Sequence, residues 1–297
     1  MIRTISLVAT AMVAFAANSL LCRMALAQTT IDPATFTVLR LASGAIALVL
    51  LSFFSLRKTA LRTPHKVLYS RLKKNANILG GITLFLYAIC FSYAYIAMST
   101  GTGALLLFGA VQLTMIFVGI LSGERFTSHQ WVGFILAFLG IVVLLLPSAT
   151  TPSLSSAVIM VAAGIAWGIY SLLGKKNKFA LLATTGNFIY ASLLCIVFII
   201  ALLLFNTNLI IWDSKGVIYA LASGIFASGC GYAIWYSTLP FIKSTTAATV
   251  QLSVPVLAAI MGGIMLAEHL STQMAIASIM TLGGIYLVIK KVNLPNP

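Results

Sequence analysis

The sequence predicts an all-α membrane protein of ten transmembrane helices, arranged as two inverted five-helix repeats. Three observations predict it: the length of the apolar runs, a one-sided distribution of basic residues, and an internal repeat. Of the 297 residues, 61% are hydrophobic and only 7% charged, whereas a soluble domain carries about 25% charged residues. The apolar residues fall in continuous runs. A run of roughly 20, at about 1.5 Å rise per residue, spans the hydrocarbon core of a bilayer. Lipid offers the backbone no hydrogen-bond partner, so a spanning chain forms a helix bundle or a closed barrel. Barrel strands would be half as long and alternating; these runs read as helices.

In order, the spans are Thr4–Met24, Ala34–Leu56, Asn77–Met98, Thr102–Leu121, Thr127–Leu146, Leu154–Gly174, Leu182–Phe205, Lys215–Pro240, Thr245–Leu266 and Thr272–Ile289. Arg3 ahead of a run ending at Ala25-Leu26-Ala27 resembles a secretory leader. That run is long, and Asn18 and Arg23 interrupt it, so it reads as a retained first helix. Cys22, Cys90, Cys195 and Cys230 all lie inside apolar runs, which marks them as packing residues rather than disulfides or metal ligands.

Placing the N-terminus on the cytoplasmic side gathers the positive charge there. Arg3, the seven basic residues from Arg57 to Lys74, Arg125, Lys175, Lys176, Lys178, Lys243, Lys290 and Lys291 all fall inside. The opposite loops hold only Lys215, and Arg23 and Arg40 lie within spans. That asymmetry is the signature of membrane orientation. The net charge of +14 is therefore explained without a nucleic-acid partner, and the Arg57–Lys74 loop is expected to lie against anionic headgroups. Both termini are expected in the cytoplasm, with the chain in a bacterial inner (plasma) membrane.

Sliding the chain by 144 residues lays Thr100–Leu146 over Ser244–Lys290 without a gap. Thr102 meets Thr246, Gly119 meets Gly263, Glu124 meets Glu268 and Gly140 meets Gly284. The chain has only four acids, Asp32, Glu124, Asp213 and Glu268, so the coincidence of two of them is informative. Residues 1–147 and 152–291 then form two repeats, with 292–297 as a short cytoplasmic tail. Five helices is an odd number, so the second repeat enters from the opposite face. Inverted repeats of this kind place a binding site near midplane between the halves.

Several short motifs follow one another along the chain. They are Asp32-Pro33-Ala34 with Arg40 and Leu41, Gly123-Glu124-Arg125-Phe126-Thr127, Ala166-Trp167-Gly168 with Lys175, Pro255-Val256, and Ala267-Glu268-His269-Leu270-Ser271. In order and spacing the chain resembles the ten-helix EamA-repeat branch of the drug/metabolite transporter superfamily. It departs from that pattern at Val111, where proline is common, and at Ala16-Ala17-Asn18, where Trp-Gly-Ser/Asn is common. The resemblance implies a carrier of small metabolites, with the cargo open among amino acids, nucleotide sugars and phosphorylated sugars.

The candidate site residues are polar or aromatic and lie deep in their spans. Asn18, Gln112 and Gln251 are amides that hydrocarbon would penalise, so each faces a partner helix or a cavity. Gln251 precedes Pro255, whose ring frees a backbone carbonyl one turn back. Aromatics cluster at Tyr87, Tyr93, Tyr95, Trp167, Tyr170, Tyr190, Tyr232, Trp235 and Tyr236. Of these Tyr87, Trp167, Tyr170, Trp235 and Tyr236 are taken as cavity candidates, because rings with polar tips suit an amphipathic substrate; core packing is the plainer alternative. Arg40 could clamp Asp32 at the helix 1–2 turn or receive a substrate carboxylate or phosphate. Glu124 and Glu268 precede a helix start, with Thr127 and Gln130 at capping-box spacing, so they read as structural turns.

No acid or histidine lies mid-membrane, which argues against a carboxylate proton relay. No nucleophile–base pair, metal cluster or phosphate loop is present, so the chain is expected to be neither an enzyme nor a cofactor or metal binder. The expected partners are membrane lipid and a small-molecule substrate; no motif sets an oligomeric state. The expected function is alternating access by two five-helix bundles rocking around a central cavity, exporting amino acids or related amphipathic compounds. The alternatives are a carrier of nucleotide sugars or phosphorylated metabolites, and a flippase or structural subunit.

Overall fold

The apolar runs fold as helices in a computed structural model that describes residues 2–57, 64–121, 127–146, 152–175, 179–205, 210–238 and 250–289. The helices are α1 (Ile2–Gln28), α2 (Pro33–Arg57), α3 (Pro64–Asn75), α4 (Ile78–Tyr95), α5 (Thr100–Leu121), α6 (Ser128–Leu144), α7 (Leu154–Lys175), α8 (Ala180–Phe205), α9 (Ser214–Ala222), α10 (Gly231–Thr238), α11 (Ser253–Leu266) and α12 (Thr272–Ile289). A π-helical segment, Ser223–Cys230, joins α9 to α10. No strand occurs among the described residues. Among the described residues, seven helical stretches are long and apolar enough to cross a membrane: α1, α2, α4, α5, α7, α8 and the α9–π–α10 unit. The helices α6, α11 and α12 are apolar but shorter. Large apolar side chains point outward, such as Leu204 at 81% and Ile264 at 79% exposure, which suits a surface solvated by lipid.

The outline of the Arg57–Lys74 segment differs from the expected loop. Its second half is α3, whose Leu68 is buried against Leu56 of α2 and Leu182 of α8, while Lys73 and Lys74 occupy its last turn. Cations there complement the negative end of the helix dipole. A second difference concerns Pro255. The helical backbone breaks at Leu252 and α11 begins at Ser253, so the proline sits in a first turn, where a missing N–H costs least.

The repeat is written into the α6–α12 contact. A Cβ on Gly140 would collide with Thr281 and stand 3.0 Å from the Ala277 carbonyl. A Cβ on Gly284 would stand 2.5 Å from the Gly133 carbonyl and 2.5 Å from the Ala137 nitrogen. Subtracting 144 from 277 and 281 gives 133 and 137, so the two glycines face each other's equivalents. The start of one helix meets the end of the other, and equivalent helices therefore run antiparallel, as inversion requires. The helix ends reciprocate too. Gln130 Nε2 donates to the Val288 carbonyl at 3.1 Å, and Gln273 Nε2 donates to the Val143 and Leu146 carbonyls at 2.8 and 2.7 Å. Each glutamine satisfies carbonyls that a helix C-terminus leaves unpaired.

Packing does not follow the sequence halves. Helix α1 packs mainly on α9, the π segment, α10 and α11, whereas α7 packs mainly on α4 and α5. Each half thus lends its first helix to the other. Two bundles rocking along the sequence halves would tear both contacts, so that expectation is revised: any rigid unit contains helices from both halves.

Three of the four acids lie among the described residues, and all three bond backbone N–H groups. Asp32 Oδ1 accepts from the Thr35 amide at 2.9 Å and its Oδ2 from the Ile211 amide at 2.8 Å. Asp213 accepts from the Gly216 amide at 2.8 Å as the N-cap of α9. The expected Asp32–arginine clamp does not form: Asp32 turns its oxygens to amides, and Arg40 turns to Ser228 and Tyr87. Arg23 instead pairs with Glu268 at 3.4 Å and donates to the Tyr95 and Ile96 carbonyls at 2.9 and 2.8 Å. The other Glu268 oxygen accepts from the Thr100 amide at 2.7 Å. Glu268 therefore ties the ends of α1, α4 and α11 to the start of α5. Its backbone is turned by Ala267, which adopts left-handed φ of 52°; the equivalent position by the 144 shift is Gly123, the residue such a helix end favours. Glu124 lies outside the described residues. The Thr127–Gln130 capping box forms as spaced.

Two outcomes follow for detergent-purified protein. Gly284→Ala is expected to lower stability by about 1–3 kcal/mol through overpacking. Gly283→Ala, next to it with nothing within 4 Å, should be neutral or slightly stabilising through helix propensity. Equal melting shifts for the two would refute the close α6–α12 approach. Glu268→Ala should cost about 1.5–3 kcal/mol, the range for hydrogen bonds to a charged group. A double-mutant cycle with Arg23→Gln should show coupling; strict additivity would show that the ion pair contributes nothing.

Candidate functional site

Where the exchanged helices meet, a small cavity is enclosed by Phe15, Asn18 and Ser19 of α1, Tyr87 and Phe91 of α4, Leu107 and Phe108 of α5, Trp167 of α7 and Tyr232 of α10. Its volume is about 10 Å³, room for a single water. Ligand sites for small molecules run to roughly 300–1,000 Å³. In this conformation the site is closed around nothing larger than water, and admitting a metabolite needs rings or helices to move.

Trp167 is the hub of the walls. Its ring centroid lies 4.7 Å from Tyr87, 4.8 Å from Tyr232 and 5.4 Å from Tyr170. Phe15 meets Trp167, Tyr232 and Trp235 edge-on at 6.4, 5.7 and 6.0 Å. These tilted and edge-on arrangements are those that aromatic quadrupoles favour.

A polar circuit backs the rings. Asn18 Nδ2 donates to the Tyr87 hydroxyl at 3.2 Å, and Arg40 Nη2 donates to the same hydroxyl at 3.0 Å. Arg40 Nε donates to Ser228 Oγ at 3.2 Å. Ser228 reaches Asn18 Oδ1 with a long 3.5 Å contact, and Ser223 Oγ donates to that oxygen at 2.6 Å. The circuit closes through α1, α2, α4 and the π segment. Its geometry depends on the π turn. Residues five apart diverge by about 140° on an α-helix of 3.6 residues per turn, whereas i→i+5 bonding stacks them. Ser223 and Ser228 are five apart, and both reach Asn18.

The glycines of the π segment let it approach α2. A Cβ on Gly224 would collide with Ser43 Oγ and the Arg40 carbonyl. On the facing helix, a Cβ on Gly44 would stand 3.0 Å from the Gly224 carbonyl. Only glycine admits this spacing, and the spacing is what brings Arg40 against Ser228.

Of the residues picked from sequence, Asn18, Tyr87 and Trp167 line the cavity. Arg40 stacks on two of its walls, 5.2 Å from the Tyr87 centroid and 4.9 Å from that of Phe91. Tyr170 and Trp235 stand behind Trp167 and Phe15. Gln112 is buried one turn beyond Phe108, outside the lining, with Nε2 unbonded. Gln251 is helical, just ahead of the break at Leu252; it too is outside the lining. Tyr236 belongs to α10, but its side chain is outside the described set. Sequence reasoning missed Phe15, Ser19, Phe91, Leu107, Phe108, Ser223 and Ser228, and it gave Tyr232 no separate weight. One signal was there: Ala222-Ser223-Gly224 recurs as Ala227-Ser228-Gly229, at the spacing of a π turn.

Comparison with known proteins agrees with this architecture. The EamA-like transporter family matches the chain twice, over residues 2–146 and 154–290. An uncharacterized protein of Pseudomonas aeruginosa is 45% identical over 287 residues, covering 97% of this chain and 94% of that relative. An uncharacterized transporter of Archaeoglobus fulgidus is 30% identical over 219 residues, covering 72% of this chain and 76% of its own. A crystal structure with 19% sequence identity superposes with a TM-score of 0.61 over 94% of this chain and 96% of the other, which shows a shared fold. The paired family matches, the apolar helices and the relatives together place the chain in the EamA-like transporter family, as an integral membrane protein of the kind that transports small molecules.

Proposed function

We propose that the protein exports amino acids or related amphipathic metabolites by alternating access. The observation that carries the reading is the aromatic-walled cavity lined from both α1 and α7, with Asn18 in its wall and Arg40 behind it. Apolar rings with a few fixed polar groups are what a small amphipathic ligand needs. Both repeats, 1–147 and 152–291, would line the cavity, and the positive-inside pattern favours cytoplasmic termini, with residues 292–297 as a tail, in a bacterial plasma membrane. The outward direction follows the habit of the family. A carrier of nucleotide sugars or other phosphorylated compounds would need several cations for its phosphates; among the described residues, Arg40 is the one cation against the cavity walls.

The described acids all sit at helix ends, so the reading includes exchange or facilitated movement rather than a proton relay through a carboxylate. Counterflow in proteoliposomes loaded with unlabelled amino acids tests it. Labelled amino acid outside should accumulate transiently and saturably. A pH gradient alone should drive no accumulation. Absence of counterflow across a full amino-acid panel would refute the cargo, and accumulation driven by pH alone would refute the coupling.

A further inference from the structure

Arg40 is 1% exposed, in the middle of a bundle that lipid surrounds, and among the described residues no carboxylate pairs with it. Asp32 and Asp213 cap helices, and Glu268 is engaged by Arg23 and Thr100. An arginine held in a membrane interior is costly, and a buried charge left without a counter-charge more so. The polar circuit meets part of that cost. Ser228 takes Nε, Tyr87 takes Nη2, and the Tyr87 and Phe91 rings stand within cation–π range of the guanidinium. Nη1 has no hydrogen-bond acceptor. On the cavity wall itself, Trp167 Nε1 is buried and likewise has no acceptor. Both unmatched groups are N–H donors, and both residues touch Tyr87: the Trp167 ring lies 4.7 Å from its ring and Arg40 Nη2 bonds its hydroxyl.

From this donor excess we propose that Arg40 is the anion-binding group of the carrier, and that its substrates are recognised by a carboxylate. The inference rests on the transport reading above and names the chemistry of its cargo. A carboxylate has two oxygens with about four lone pairs and no donor, so it can accept from a guanidinium and an indole together. A primary amide of the same shape offers one acceptor and brings two donors of its own, which meet only donors here. The ring walls receive the apolar part. A free ammonium on the substrate has no acid to pair with in the described site, so it is tolerated rather than required. Ser228 and the Tyr87 hydroxyl hold Arg40 by Nε and Nη2, leaving Nη1 to the ligand.

The test compares three ligand types on wild-type protein in lipid nanodiscs, by thermal shift and by direct binding. The ligands are phenylalanine and leucine, their desamino acids (3-phenylpropionate and 4-methylpentanoate), and the primary amides of the two amino acids. The amino acids and desamino acids are expected to bind, and the amides to bind at least roughly tenfold more weakly, the lower range for losing a bond to a charged group. Arg40→Gln should lose that preference for carboxylate over amide, while Arg40→Lys should keep part of it. The wild-type comparison needs no variant, so misfolding of Arg40→Gln leaves the test intact. Equal affinity for carboxylates and amides, or an unchanged preference in folded Arg40→Gln, overturns the proposal. If amides show counterflow as well as the acids do, the transport reading stands and the anion site falls. If neither class binds or exchanges, both fall.

Discussion

Hydrocarbon gives a polar side chain no water to fall back on, and the circuit of Asn18, Arg40, Tyr87 and Ser228 can exist only where four elements converge. Each member depends on the others. Tyr87 is positioned to accept from two donors, Asn18 uses its amide and its carbonyl on different helices, and Arg40 is held by a serine that a regular α-helix would turn elsewhere. An unpaired polar group costs several kcal/mol in such surroundings. The convergence of α1, α2, α4 and the π segment is therefore imposed by chemistry as much as by shape. The exchange of first helices is what makes it available, since α1 brings Asn18 out of its own half and into contact with Ser223.

Glycine placement is the second half of that arrangement. Hydrophobic burial gives little preference for one neighbour over another when the solvent is itself apolar, so close packing and polar bonds decide which helices touch. The α6–α12 pair illustrates packing without polar bonds along its length. Gly133, Gly140 and Gly284 remove the side chains that would hold the backbones apart, and the glutamines bond only at the ends. The α2–π contact combines both. Gly44 and Gly224 allow the approach, and Arg40 and Ser228 exploit it. The first contact is peripheral and symmetric, the second central and asymmetric, and the cavity lies beside the second.

How much of this was legible differs by residue for physical reasons. The seven long spans were legible because each needs about 20 apolar residues whatever its neighbours, while α6, α11 and α12 are apolar but shorter than expected. The repeat was legible because Glu124 and Glu268 are rare letters in this composition. Asn18, Tyr87 and Trp167 could be picked because polar tips in hydrocarbon demand partners. Their partners could not be read: Asn18 meets Ser223 across 205 positions and Arg23 meets Glu268 across 245. The exchange of α1 and α7 was hidden for the same reason, since helices apolar on every side carry no stripe to say what they face. Phe15, Phe91 and Phe108 were indistinguishable by type from phenylalanines that face lipid, such as Phe226. Ser223 and Ser228 were hidden by an assumption rather than by a lack of signal. Read with an α-helical period they fall on different faces; read with the period of their own five-residue repeat they fall together.

The closed cavity and the Glu268 tie bear on how such a bundle could open. Arg23 belongs to the helix lent to the second half, and Thr100 begins a helix of the first, so Glu268 joins the two mixed units at one end. Opening at that end has to break its bonds. Hydrogen bonds to a charged group are worth about 1.5–3 kcal/mol, a cost that the differential binding of a single ligand can offset. The Arg23 side chain and Glu268 are 21% and 16% exposed, so water can replace part of what is lost as they separate. A tie deep in the hydrocarbon would have no such substitute and would hold the end shut. The same reasoning explains why the central circuit is built differently. Its members are almost fully buried, so parting them without a ligand would strand a guanidinium and an amide. With the circuit almost fully buried and the Glu268 tie partly exposed, the tie at the ends of α1, α4, α5 and α11 is the less costly of the two to part.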